Sequence, residues 1–396
     1  MNEKTSPEPA RIKRGLRVWL VYIMLSCFGY VLNVAGPAVA YLRDELNLSF
    51  TQSGLHTSAL ALGMVVMGLF GHTILKKLPE WKALGLGGLG LGLGGWVMVL
   101  GRQSPISLTG LFLMGAIGSF IVSTNPAILA DEMGQYGKIG VSEANTMTSI
   151  FSTLAPIAVG YFGARTVTWR PAVYIVTTLA SLIGISILLS RQFPWKLKQT
   201  ETDLTNRTDK LQGKYWLIWS ALVVSISIEF CIIYWASDYL QAHLSIPKDS
   251  ATQWVSLYLI GMVIGRYIGS LLLQKHDRFL ILFISVAIGG LGFGIFWLGG
   301  SLALSLIGLV LAGLGVANLY ASFITLSFDA AGTARAAAGS AATVASGVAI
   351  LLLPFALGSL ADIIGIRLAM LIIIVLYVFL TILIVTVRKE DSSQPI

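Results

Sequence analysis

The stretch ISIEFCIIYWASDYL, from Ile226 to Leu240, holds one glutamate, Glu229, in a setting otherwise fit for hydrocarbon. A charged side chain at mid-bilayer costs roughly 2.5–3.5 kcal/mol on insertion scales. A low dielectric favours the neutral form of a carboxyl group, so one placed there can load and release a proton. The helix face around it offers Ser225, Ile226, Ile232, Ile233 and Ala236, with no basic partner one turn away. Glu229 is therefore read as the proton-coupling residue, the alternative being a structural hydrogen bond to another helix. Asp238, nine residues on, falls on the opposite side of the helix and reads as an interfacial residue.

Arg266, in GMVIGRYIG (Gly261 to Gly269), is the second charged group inside an apolar run. Its guanidinium can hold a carboxylate or phosphate through two parallel hydrogen bonds. It can equally pair with Asp329 or Glu132 and act as a gate. Asn33, Asn125 and Asn318 each donate and accept, while Tyr30, Tyr234, Trp235 and Tyr320 add flat faces with polar tips. Amides with aromatics suit a neutral polyhydroxylated or mixed polar and apolar ligand, so these seven are candidate substrate-binding residues. Other constellations are absent or misleading. The four histidines, His56, His72, His243 and His276, share no ligand spacing, so no metal is expected. No nucleophile and base stand at reactive spacing, so an enzyme is not expected, nor any cofactor beyond the proton as coupling ion. GLGGLG (Gly85 to Gly90) fits a dinucleotide fingerprint in letters only, since it lies in an apolar run with no strand before it. Helix packing through small residues is its reading.

The elements that must position these residues follow from composition. Of 396 residues 55% are hydrophobic and 12% charged, far below the roughly one quarter of a soluble domain. Apolar runs of about 20 residues cross a bilayer. Twelve are read here, near 16–42, 51–75, 82–101, 105–131, 139–165, 170–190, 214–242, 249–274, 279–300, 302–329, 334–362 and 368–388. The first is too long for a cleaved leader and reads as a span. A polar segment, 191–213, divides the chain into two bundles, 1–190 and 214–396. Twenty Lys and Arg fall on the side of both termini and the central segment, against six opposite. That excess places the termini in the cytoplasm of a plasma (inner) membrane protein. Basic residues scattered between spans suit membrane lipid and not nucleic acid, and Cys27 and Cys231 read as small core residues.

At a constant offset of 198 the chain repeats itself. Tyr41-Leu42 returns as Tyr239-Leu240, and Gly63-Met64-Val65 as Gly261-Met262-Val263. Gly71, Lys77, Gly115, Pro156 and Gly160 return as Gly269, Lys275, Gly313, Pro354 and Gly358. Two parallel six-helix repeats form a transporter architecture, with cargo bound near the midplane. Counting about 1.5 Å per residue puts Glu229 roughly 22 Å from the cytoplasmic end of its span, and Asn33 and Asn318 at matching depth.

Over nearly its full length the chain resembles transporters of the major facilitator superfamily. GHTILKKLPEWK (Gly71 to Lys82) keeps the glycine and basic pair of that family's loop motif, with Leu75 where an aspartate is usual. The copy GSLLLQKHDR has Leu273 there, and GSLADIIGIR (Gly358 to Arg367) follows span 11. The resemblance implies that spans 3, 6, 9 and 12 face lipid while the rest line a central cavity. In agreement, those four spans carry no Asp, Glu, Arg, His, Asn or Gln in their interiors. Glu229, Trp235, Tyr239-Leu240 and Gly265-Arg266 are further similar to a pattern of fucose-permease-like members, which are proton-coupled sugar symporters. No acidic residue precedes Asp44 in span 1, unlike many of those members, and the proline signature of drug antiporters is absent from span 5. The expectation is an all-α membrane protein with twelve transmembrane helices. It acts as a monomeric secondary transporter of a small-molecule solute, proton-coupled, by symport and alternating access. The alternatives are an organic-anion carrier using Arg266 and a transport-inactive sensor.

Overall fold

The computed structural model describes residues 14–75, 77–165, 168–190, 192–193, 211, 213–332 and 334–392. The central segment 191–213 thus lies largely outside the described residues. In chain order the helices are α1 Leu16–Leu46, α2 Phe50–Leu75, α3 Glu80–Leu100, α4 Ser104–Met133, α5 Gly137–Arg165, α6 Pro171–Leu189, α7 Gly213–Leu244, α8 Lys248–Trp254, α9 Ser256–Leu272, α10 Arg278–Leu298, α11 Leu302–Val316, α12 Leu319–Ala331, α13 Arg335–Ile364, α14 Ile366–Ala369 and α15 Ile372–Ser392.

Eleven helical stretches among the described residues are long and apolar enough to cross a membrane, one of them the 62-residue run Ser104–Arg165. That run turns back at Gly134, whose φ of 55° suits glycine, through the 3-10 turn Gly134–Tyr136. It therefore makes two passes, and the total is the expected twelve. Three of these passes are broken where a single span is expected. The eighth is α8 plus α9, the tenth is α11 plus α12, and the twelfth is α14 plus α15. Below, the near side is where α1 begins and the far side where it ends.

The repeat is written in the packing. A Cβ on Gly63 would overlap the Phe112 carbonyl, and one on Gly261 the Val310 carbonyl. One on Gly115 would overlap the Leu60 carbonyl, and one on Gly313 the Tyr258 carbonyl. Each second pair stands 198 positions after the first. Close backbone approach of helices through small residues is how such bundles pack in lipid. The glycines read as a false nucleotide motif do the same, with Gly85 and Gly88 against α6 and Gly87 and Gly90 against α4.

Buried side chains form two cores, one drawn from Val18 to Phe193, the other from Ile218 to Val387 with Ala61. The halves meet where α1 faces α7, α2 faces α13, and α5 faces α8 and α9. The outward faces of α3, α6, α10 and α15 are apolar, with Leu93, Leu182, Leu291 and Val375 all more than half exposed.

Candidate functional site

Glu229 lies on α7 between Ile228 and Phe230, both buried, and is itself half-buried. Among the described residues its carboxyl makes no hydrogen bond and no ion pair. The one charged side chain whose field acts on it is Arg266. The hydroxyls of Tyr234, Tyr258 and Tyr320 also lie within its electrostatic reach. Three helices of the second half, α7, α9 and α12, thus bring polar groups to one place.

Arg266 is exposed on α9, and its Nη1 donates to Ser149 Oγ on α5 at 2.6 Å, across the two halves. The expected partners are taken elsewhere. Asp329 pairs with Arg278 at 2.5 Å, and Glu132 with Arg17 at 3.1 Å. Both carboxylates sit at near-side helix ends, where basic residues of their own half begin the adjacent helix. Arg266 lies higher in its span and meets a hydroxyl instead. As a gate, then, Arg266 does not act through Asp329.

The other candidates divide by what their polar atoms meet. Asn33 Nδ2 donates to Gly29 O in its own helix at 2.8 Å. Its Oδ1 and the Nδ2 of Asn125 are buried without a partner among the described residues. The Tyr30 hydroxyl donates to Ala172 O on α6 at 2.8 Å, inside its own half. Trp235 Nε1 donates to Pro354 O on α13 at 3.0 Å. The Tyr234 hydroxyl crosses the halves to Leu32 O at 3.3 Å, and its Cα would lie 2.7 Å from a Cβ on Gly36. Asn318 precedes α12 at the break in the tenth pass, and its Nδ2 donates to Gly265 O at 2.9 Å. Tyr320, on α12, is 44% exposed. Glu229, Arg266, Tyr234 and Tyr320 therefore share one region, while Tyr30, Trp235 and Asn318 brace helices.

Sequence reasoning missed a polar network on the far side. Asp238 is buried and not interfacial, because Arg43 of α1 pairs with it across the halves. Lys248 of α8 pairs with Asp44 and donates to Ala40 O at 2.7 Å. The Tyr41 hydroxyl donates to Asp249 at 2.5 Å, and Asp362 accepts from the Phe50 and Thr51 amides at 2.8 Å each. The Arg43 guanidinium lies 4.4 Å from the centre of the Phe50 ring. Beside it, a space of about 10 Å³ is lined by Gly36, Ser53, Thr57, Tyr234 and Asp238 among others. The available signal was an arginine ending one repeat's first span and an aspartate near the end of the other's, which a two-fold repeat sets face to face. Four near-side ion pairs, by contrast, each stay within one half: Arg14–Glu143, Arg17–Glu132, Lys214–Asp391 and Arg278–Asp329. Among the described residues no group of three His, Cys, Asp or Glu could hold a metal.

Such an arrangement can bind a proton at Glu229, present a cation at Arg266, and hold the two halves together on the far side. Comparison with known proteins bears on the family and the fold. The Major Facilitator Superfamily profile matches residues 19–234 and again 217–396. A solved nucleoside transporter, NupG, superposes with a TM-score of 0.78 at 13% identity, covering 93% of this chain and 99% of that one. A bacterial homologue of the human lysosomal transporter Spinster, inward-facing and occupied, gives 0.73 at 12% identity over 94% and 96%. The E. coli fucose:proton symporter FucP gives 0.61 at 16% over 94% and 98%. At these identities the likeness is one of fold. YwtG of Bacillus subtilis, named for metabolite transport, is 20% identical over 207 residues, which is 51% of this chain and 45% of that protein.

Proposed function

The chain belongs to the Major Facilitator Superfamily, and from that membership we propose proton-coupled movement of a small polar or amphipathic solute by alternating access. That it is an integral membrane solute transporter, and no enzyme, follows from the family and from the carriers sharing its fold. The coupling, the direction and the solute are the proposal. One observation carries it: a half-buried carboxyl, Glu229, without a hydrogen bond or ion pair among the described residues, at the seam of two halves that ion pairs join on the far side. In this reading the latch closes the far side and breaks when the halves rock the other way, and proton gain or loss at Glu229 biases them. The excess of basic residues that the sequence assigns to the side of both termini, 20 against 6, supports a cytoplasmic near side.

A thermal-shift screen of sugars, nucleosides, amino acids, carboxylates and lipophilic cations at two pH values comes first. The stabilising compound then serves in proteoliposomes. Glu229→Gln should abolish uptake driven by a pH gradient while exchange partly survives. Accumulation against a gradient by that variant would remove Glu229 from coupling, and binding without flux in the wild type would favour a sensor.

A second reading is an organic-anion carrier. Its support is Arg266, exposed and without an ion pair among the described residues. Because lysine lacks the planar fork, Arg266→Lys should lower affinity for a carboxylate solute about tenfold or more. Unchanged affinity would end that reading.

A further inference from the structure

Within the far-side latch one donor is left over. The Arg43 guanidinium gives its Nη2 to Asp238 and lies against the Phe50 ring. Its Nη1 is buried and has no partner among the described residues. Buried polar groups in proteins are almost always hydrogen-bonded, to protein or to ordered water, and a guanidinium stays charged. Arg43 and Asp238 line one cavity of about 10 Å³, together with Ser53 and Thr57 of α2 and Tyr234 and Trp235 of α7. The other hydrogens around it are committed. Ser53 Oγ donates to Ser49 O at 3.0 Å, and Thr57 Oγ1 to Gly54 O at 2.9 Å. Tyr234 and Trp235 donate to Leu32 O and Pro354 O. The cavity therefore brings together one donor in need of an acceptor, a carboxylate, and two hydroxyl oxygens that still accept.

One water completes that set. A buried water typically makes about three hydrogen bonds to polar groups, and roughly 10–15 Å³ is the least space that holds one. A larger solute has no room, and an anion would face Asp238. We propose that an ordered water occupies this cavity, accepting from Arg43 Nη1 and donating to the Asp238 carboxylate and to an α2 hydroxyl, Ser53 or Thr57. Because α2 belongs to the first half and α7 to the second, the water ties the halves a second time where Arg43 and Asp238 pair. Ser53 and Thr57 are its positioning residues. The site depends neither on the solute nor on Glu229. Its release on far-side opening does rest on the alternating-access reading above.

X-ray footprinting of the purified full-length protein tests this without a solute. Hydroxyl radicals made from a trapped water oxidise the side chains beside it, and a prior jump into isotopically labelled water times its exchange. Tyr234 and Trp235, each 3% exposed, are the reporters. In the wild type they should be oxidised by a water that exchanges more slowly than bulk. In Ser53→Ala with Thr57→Val the water loses its α2 acceptor while the ion pair stays, so exchange should be about fivefold faster, the equivalent of one lost hydrogen bond. If the double variant does not fold, the single variants are read, and one of the two must show that change. A density map of the wild type should also hold a peak about 2.7–3.2 Å from Arg43 Nη1. No slowly exchanging water at either reporter, or a map without that peak, would overturn the site. Exchange unchanged by the loss of both hydroxyls would remove α2 from it, and the bridge between the halves with it.

Discussion

Arg43 and Asp238, 195 positions apart, form one ion pair between the far ends of α1 and α7, with 13% and 4% of their side chains exposed. Loss of Arg43 strands the buried Asp238, while loss of Asp238 leaves Arg43 only a 3.9 Å contact to the exposed Asp44. Removing one member of a buried pair costs about 3–5 kcal/mol, and here the cost falls on the far-closed state alone. Arg43→Ala and Asp238→Ala should therefore each favour far-side opening. The measurement is labelling of Thr57→Cys, beside the same small cavity, by a membrane-impermeant maleimide. Labelling should rise strongly in either background and fall back in the swapped pair Arg43→Asp with Asp238→Arg. Equal labelling in all backgrounds would mean that the pair does not hold the far side.

Ser149 and Arg266 bridge α5 and α9 across the halves, away from the far-side latch, with a bond of 2.6 Å at an exposed guanidinium. An exposed charged hydrogen bond of this kind contributes on the order of 1 kcal/mol. Ser149→Ala should thus move the equilibrium about fivefold toward the near-open state, well short of the effect of Arg43→Ala. Distance distributions between spin labels on α5 and α9 would report it. A larger shift from Ser149→Ala than from Arg43→Ala would reverse the assigned asymmetry.

Asn318 offers a cleaner contrast. Its amide is committed to Gly265 O at 2.9 Å and packs where a side chain on Gly269 would stand. Asn318→Ala should lower thermal stability by about 1–2 kcal/mol and leave solute affinity unchanged. Loss of affinity at unchanged stability would return Asn318 to the substrate site.

These cases mark how far the sequence reaches. Passes and repeat were legible because the bilayer sets helix length and because glycines at close crossings recur at a fixed offset, as Gly63 and Gly261 do. Glu229 stood out because a carboxylate among apolar residues is conspicuous in one dimension. The far-side latch was not legible, since Arg43 looks like any loop cation until α1 extends to Leu46 and meets α7. The breaks before Ser256 and Leu319 carry no proline, and the bond from Asn318 to α9 that accompanies the second is tertiary. The pairing of Asp329 with Arg278 was hidden for a related reason: it joins two different helices, which spacing along one helix does not show.

The last prediction tests the repeat as an energetic unit. A Cβ at Gly115 would overlap the Leu60 carbonyl, and one at the equivalent Gly313 the Tyr258 carbonyl. Backbone oxygen cannot swing aside as a flexible side chain can, so the helices must separate. Overpacking of this kind typically costs about 1–3 kcal/mol. Gly115→Ala and Gly313→Ala should each lower the melting temperature, by similar amounts because the two crossings are copies. Gly294, inside α10 with nothing within 4 Å of its Cβ position, is the control. There alanine adds helix propensity worth up to about 1 kcal/mol and should leave stability unchanged or raise it. Gly313→Ala as harmless as Gly294→Ala would show that α9 and α11 do not approach as closely as α2 and α4, and the equivalence of the two halves would fail.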